Sequence, residues 1–195
     1  MLFDFTETVP LTRYKLMSQS IVPRPIAWIV TESETLNIAP FSFFSGVSSQ
    51  PPTLMVAIGH KKDGTPKDTL QNIRTTKKCV ICSVVTDDME KMHFTSAELS
   101  EHIDEAEKFD IATKKVIDAY PPMIEGVPTA FFCTLAQEIS LDGSKTIPLF
   151  LTIDHMYVDN EVISDSLKID MELIGRLGHA YIRPGEKVAA PSIPD

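Results

Sequence analysis

Prolines and turn residues cut this chain into short apolar runs, and that punctuation restricts the fold more than any other feature. Residues 26–31 (IAWIVT) follow Pro23 and Pro25 and read as a β-strand. Residues 37–44 (NIAPFSFF) read as a second strand, in which Pro40 calls for an edge or a bulge because proline cannot donate to a ladder. Residues 48–52 (SSQPP) read as a turn, residues 53–60 (TLMVAIGH) as a third strand and residues 79–85 (CVICSVV) as a fourth. Residues 130–141 and 147–158 form a further pair of strands joined at Asp142-Gly143. In the last of these, Leu149, Leu151 and Ile153 alternate with Phe150, Thr152 and Asp154, the period of two expected of a strand with two unlike faces.

Helices are subordinate. One is predicted from Pro66 to about Thr75, with Thr65 as N-cap, Pro66 at N1 and Asp68 at N3, and with Leu70 and Ile73 as its apolar pair. Residues 87–118 are polar and acidic and read as helices and loops in an excursion, closed by Tyr120-Pro121-Pro122. No βαβα alternation and no internal repeat occurs. The predicted fold class is therefore mainly β, a closed or split antiparallel barrel with peripheral helices.

At 195 residues, one domain can bury an adequate core without staples. The net charge of −9 gives no electrostatic help toward nucleic acid or an anionic membrane, so neither is expected as a partner. A phosphorylated ligand would need a local positive site. Cys79, Cys82 and Cys133 are odd in number and lack framework spacing, which argues against a secreted disulfide scaffold. The first residues carry acids rather than a basic leader, and no apolar run approaches the ~20 residues of a membrane span. The expected location is the cytoplasm.

Two segments could carry chemistry. The start of the predicted helix, Thr65 to Thr69, offers unpaired N–H groups, the Lys67 charge and the Thr69 hydroxyl, a combination that suits a phosphate. The alternative is an ordinary capped surface helix. Along residues 37–44, backbone amides near Ala39 with Asn37 and Ser42 could line the polar edge of an aromatic ligand. The alternative is an edge strand whose aromatics fill the barrel or a subunit seam. Cys79 and Cys82 spell C-x-x-C, but on a strand they point to opposite faces and suit neither a disulfide nor a metal. The five histidines lack metal-ligand spacing, so no metal is expected. The acidic residues from Glu98 to Glu107 read as a solvated face. Hydrolase elbows, P-loops and Rossmann glycine fingerprints are all absent.

The order of the pieces is more telling than any one of them. Pro23-Arg24-Pro25-Ile26-Ala27-Trp28 precedes Asn37-x-Ala39-Pro40-Phe41-Ser42-x-Phe44, then Ser48-x-x-Pro51-Pro52, Lys67-Asp68-Thr69-x-x-Asn72-Ile73 and Arg176-Leu177-Gly178-x-x-Tyr181. This pattern resembles the flavin reductase-like, FMN-binding split-barrel family, which includes flavoredoxin-like proteins. The resemblance runs roughly from Tyr14 to Tyr181 and implies one domain over residues 1–195, with a core of about 14–183 and a helical excursion of about 87–118.

It also implies a homodimer with one non-covalent FMN per subunit near the interface. Thr31 and Asn37 would approach the flavin's polar edge or ribityl chain, and Ala39, Pro40, Phe41 and Ser42 would wall the ring, with Ser48 close by. Lys67 and Thr69 would hold the phosphate, with Asn72 one turn behind, while His179 and Tyr181 would face the flavin from the partner subunit or the C-terminal arm, as substrate-side residues. The implied function is an FMN-binding oxidoreductase, an NAD(P)H-dependent flavin reductase. The alternatives are a flavoredoxin-type carrier reduced by a protein partner, or a non-enzymatic flavin-binding relative. Where many family reductases have Gly-Asp-His, this chain has Ile153-Asp154-His155, a departure at the nicotinamide side. No catalytic residue is assigned, because hydride transfer to a flavin requires no acid or base from the protein.

Overall fold

A computed structural model describes residues 1–183, 185 and 188–191. The elements run α1 (Pro10–Ser20), β1 (Ala27–Glu32), β2 (Leu36–Phe41), β3 (Phe44–Ser49), β4 (Pro52–Gly59), α2 (Asp68–Thr76) and β5 (Lys78–Cys82). Then come α3 (Met89–Phe94), α4 (Glu105–Lys108), β6 (Thr113–Lys114), β7 (Met123–Ile124), β8 (Thr129–Glu138), β9 (Thr146–Val158), β10 (Gly175–Leu177) and β11 (Ala180–Ile182). Seven strands form one antiparallel sheet in the order β2-β1-β5-β8-β9-β4-β3.

That order forces curvature. β2 and β3 stand at opposite ends of the sheet, yet only Ser42 and Phe43 separate them in sequence. Six strand spacings of about 4.8 Å would put flat ends roughly 29 Å apart. Three Cα steps reach at most about 11 Å. The sheet therefore curls until its ends approach, and β2 touches β4 while the Ala57 amide donates to the Phe43 carbonyl at 2.9 Å. The fold is a mainly β, curled antiparallel split barrel with few helices, as expected.

Period two then sorts the core into two layers. Ala27 and Ile29 of β1 join Val56, Ile58, Leu149 and Leu151 in one cluster, which α2 closes with Leu70 and Ile73. Trp28 and Val30 point the other way, into a cluster with Val80, Phe132, the excursion residues Met92 and Ile111, and Tyr120 and Met123 just after it. The excursion is thus the cover for the sheet's second face. Trp28 Nε1 donates to Thr95 Oγ1 at 3.0 Å and fixes it there. Cys79 and Cys82 belong to different clusters, as their opposite faces require, and all three cysteines are free and buried.

Several boundaries differ from expectation. The strand predicted over residues 37–44 breaks at Ser42-Phe43, where the chain crosses between the sheet's two ends. Ser48 and Ser49 belong to β3, so the predicted turn narrows to Gln50-Pro51. The helix begins at Asp68 rather than Pro66. Thr65 is not its cap, because Thr65 Oγ1 donates to Asp63 Oδ1 at 2.6 Å and Pro66 bridges to His60. Helix α1 and the β10–β11 hairpin, turned at Gly178 with φ 52°, had no counterpart in the sequence reading.

Candidate functional site

β2 is an edge strand, and its free side is where a groove forms. In an antiparallel strand, alternate residues turn their N–H and C=O groups to the same side. Leu36 N–H donates to Asp104 Oδ2 at 3.0 Å and Ile38 N–H donates to Glu105 Oε2, so the even residues face outward. The next even residue is Pro40, which has no N–H. This edge is therefore sealed by two carboxylates and a proline. The amides near Ala39, expected to serve a ligand, turn toward β1 instead, and Ala39 contributes wall rather than donors. The acidic stretch read as a solvated face is corrected too: Asp104 caps α4, and Glu105 is 6% exposed. Burial, foremost, pushes the Glu105 carboxyl up to about 7, while Asp68 and Asp104 add to the effect and the Ile38 N–H opposes it.

Two adjoining clefts run along β2. The first is lined by Asn37, Ala39, Pro40, Phe41, Lys67 and Thr69. The second, of about 200 Å³, is lined by Pro40, Phe41, Ser42, His93, Arg176 and Tyr181, among others. Pro40, Phe41 and Ser96 belong to both, so the clefts make one groove.

The first end is built for an anion. Lys67 is the N-cap of α2, with extended backbone (φ −63°, ψ 151°) and no side-chain cap on the helix's first N–H groups. Those donors and the helix dipole lie at a cleft whose lining also holds Asp68, Glu98 and Glu105, so Lys67 and Lys61 are the cations set against three acids there. Lys67 is half-buried and, among the described residues, has no carboxylate partner. Lys61 is spent on Asp68 at 2.5 Å, which neutralises the acid nearest the helix start. Thr69 Oγ1 accepts from Asn37 Nδ2 at 2.9 Å, which leaves its hydroxyl proton to donate. The donor set fits a phosphate.

Behind this wall lies a polar brace. Asn37 Nδ2 also donates to Thr31 Oγ1 at 3.2 Å, and Asn72 Nδ2 donates to the same oxygen at 3.1 Å. Thr31 is fully buried and Asn72 is 9% exposed. Both were expected as ligand contacts. The structure places Thr31 behind Asn37 as a buried hydrogen-bond acceptor, and Asn72 opens on the neighbouring cleft beside Gln71 and Glu101. Among the described residues no donor meets Asn37 Oδ1, so that acceptor remains available to a ligand.

Residues 17–169 match the flavin reductase like domain. The chain belongs to the flavin reductase-like family. An uncharacterized protein of Aquifex aeolicus (strain VF5) is 36% identical over 186 residues, covering 92% of this chain and 93% of the relative. Nitrilotriacetate monooxygenase component B from Bacillus cereus superposes with a TM-score of 0.91 at 24% identity, covering 97% of this chain and 98% of that one. The 2-nitrobenzoate 2-nitroreductase of Pseudomonas fluorescens superposes with a TM-score of 0.88 at 26% identity, covering 100% and 96%.

Within this flavin reductase-like chain, the remaining expected residues divide. Tyr181 lines the second cleft, its hydroxyl 2.8 Å from His93 Nδ1. His179 is exposed at the hairpin turn and within one chain lies outside this cleft, where His93 packs edge-on against Tyr181. Ser48 lies on β3, exposed, where its Oγ accepts from the Gln50 amide at 3.0 Å to hold the turn. Within one chain it does not reach the groove. The Asp154-His155 pair is also elsewhere. Asp154 accepts from Tyr120 at 2.7 Å and from Thr134, with Lys78 Nζ at 3.8 Å. Burial raises the Asp154 carboxyl, but those hydrogen bonds and the Lys78 charge outweigh it and leave it below the usual range. The residues missed by sequence were His93, Arg176, Tyr14 and Lys61. Only Arg176 had a signal, its place in the Arg-Leu-Gly motif.

Proposed function

We propose that the groove along β2 binds FMN without a covalent link and that the protein is an NAD(P)H-dependent flavin oxidoreductase. The single supporting observation is the continuity of the groove, from the uncapped start of α2 with its unpaired Lys67 to an apolar mouth at Phe41 and Tyr181. Lys67, Thr69 and the first amides of α2 would hold the phosphate. Asn37, Ala39, Pro40, Phe41 and Ser42 would hold the ribityl and ring portions. When bound, FMN supplies the acceptance and release of a hydride or of single electrons. The chain's part is positional. Asn37 is braced through Thr31 and Thr69, the proline and carboxylate seal keeps β2 from pairing with another strand, and Phe41 excludes water from one wall.

The flavin-loaded protein, mixed anaerobically with NADH or NADPH in a stopped-flow cell, should lose its flavin absorbance within the turnover time. A flavin that neither nucleotide reduces would overturn the reductase assignment. The involvement of Asp154 with Lys78, Tyr120 and Thr134, away from the groove, favours a second reading: a flavoredoxin-type carrier reduced by a protein partner. In that case a reduced iron–sulfur protein should bleach the flavin where the nucleotides do not. A protein that stays colourless with added FMN would be a non-enzymatic relative.

The same proposal includes a homodimer. Phe44, Phe131, Met156 and Ile182 line an apolar cleft of about 280 Å³, and Met156 and Ile182 are exposed in the single chain. Sedimentation at twice the 21.7 kDa chain mass would support it. Three free, buried thiols suit a reducing compartment, and we place the protein in the cytoplasm.

A further inference from the structure

The mouth of the groove is lined by Arg176, with the buried Arg24 behind it, and among the described residues neither has a carboxylate partner. Arg176 lies over the Tyr181 ring, its Cζ 4.7 Å from the centroid, and its Nε donates to the Gly178 carbonyl at 3.0 Å. These two contacts fix the guanidinium plane and occupy one of its five N–H donors. Arg24 is tied to Arg176 by reciprocal backbone hydrogen bonds of 3.1 and 2.8 Å. It lies outside the groove's lining, 4% exposed, and its guanidinium donates to the Ser18 and Ile21 carbonyls and, at 3.4 Å, to Ser42 Oγ. Among the described residues no carboxylate lies within ion-pair distance of either arginine. Desolvation foremost, and then the charge of Arg176, lower the Arg24 pKa, yet an arginine stays charged at neutral pH.

A buried cation in a chain of net charge −9 would ordinarily find an acid. Here the acids near the groove cluster at the other end, as Asp68, Glu98 and Glu105. The mouth instead sets the half-exposed Arg176 against apolar walls of Ile26, Pro40, Phe41 and Met92. Such a surface suits a flat apolar body that carries an anionic oxygen group, because a planar guanidinium pairs with carboxylate or phosphate through two parallel N–H donors.

We infer that the Arg176 end of the groove is a subsite for the anionic group, carboxylate or phosphate, of the second reactant that meets the flavin. This rests on the flavin reading for the word reactant, but the anion subsite itself can be measured with or without FMN. Tyr181 acts as the platform beneath Arg176, and Arg24 supports the local positive potential from below.

The test is equilibrium binding of benzoate, its neutral analogue benzamide, and 2′-AMP, by calorimetry on the FMN-free protein and by flavin difference spectra on the loaded protein. Benzoate, 2′-AMP or both should bind roughly tenfold or more tightly than benzamide. Preference for benzoate would identify a carboxylate-bearing reactant, and preference for 2′-AMP a phosphate-bearing nucleotide. Arg176→Gln should abolish the preference and Arg176→Lys should restore part of it. Tyr181→Phe, which keeps the ring and loses the hydroxyl, should retain it. Should Arg176→Gln fail to fold, added salt on the wild-type protein replaces it, weakening the anions and not benzamide. Equal binding of all three ligands, or a preference that survives Arg176→Gln, would overturn the inference. Failure to bind FMN with the anion preference intact would remove the flavin reading and leave the subsite standing.

Discussion

Replacing Glu105 with Gln should remove a pH dependence that the wild-type protein carries through its edge seal. Glu105 is 6% exposed and accepts from the Ile38 amide, so Gln preserves an acceptor of the same shape. Burial first, with the nearby Asp68 and Asp104 charges, raises its carboxyl from an ordinary 4.5 to about 7. A folded-state pKa above the unfolded value means that the native state holds the proton longer. Stability from this group is then fully present below the unfolded pKa and is lost as pH rises through the folded one. The difference corresponds to about 3 kcal/mol between the two limits. Urea unfolding of wild-type and Glu105→Gln protein, followed by the fluorescence of the single buried Trp28, gives the stability difference at each pH. Taking the difference cancels the titrating groups that do not interact with Glu105. The variant should be no more stable than wild type near pH 4 and more stable by up to about 3 kcal/mol near pH 8. A stability difference that stays flat across that range would refute the reasoning about Glu105.

Three further outcomes follow from the same structure. Thr31→Val leaves Asn37 and Asn72 without their shared acceptor and should cost about 1–3 kcal/mol in urea unfolding while also weakening FMN binding. Gly175→Ala places a Cβ 2.9 Å from Pro23 Cβ and 3.2 Å from the Arg24 carbonyl, so it should destabilise by about 1–3 kcal/mol and splay the hairpin that carries Arg176 and Tyr181. The three thiols are buried, and desolvation raises the Cys82 pKa to about 12, so a colorimetric thiol reagent should label none in the native protein and all three after denaturation. Rapid native labelling would contradict the packing of both core layers.

The strands were legible because their chemistry is local. The alternation from Leu149 to Asp154 shows period two, and the run around Ile29 shows a short, β-branched apolar strand, both without reference to any partner. What escaped was set by distant contacts. β10 and β11 are three residues each, too short to show a period, and exist because Gly178 turns and Arg176 bridges to Arg24. Asp104 and Glu105 look like a solvated acidic face, but their partners on β2's free edge lie 68 and 67 residues away in sequence and within hydrogen-bond reach in space. The helix start was misjudged by two residues because Asp63 captured the Thr65 hydroxyl that would have capped it.

The site divides the same way. Lys67 and Thr69 were named from the chemistry of a helix start, Asn37 and residues 39–42 mainly from motif order, and all of them line one groove. Thr31 and Asn72 were named with them but lie behind the groove wall, since motif order does not show which side chains reach the surface. His93 went unnoticed because it meets Tyr181 across 88 residues, while His179, only two positions from Tyr181, turns to solvent.

The most direct test of the central claim is a titration of the purified protein with FMN, followed by flavin absorbance and fluorescence, alongside Lys67→Ala. Saturable binding that the substitution weakens by about 1.5–3 kcal/mol, the usual worth of a charge-assisted contact, is the expected result. A wild-type protein that leaves the FMN spectrum unchanged would contradict the account, and wild-type affinity in the variant would remove Lys67 from the phosphate end.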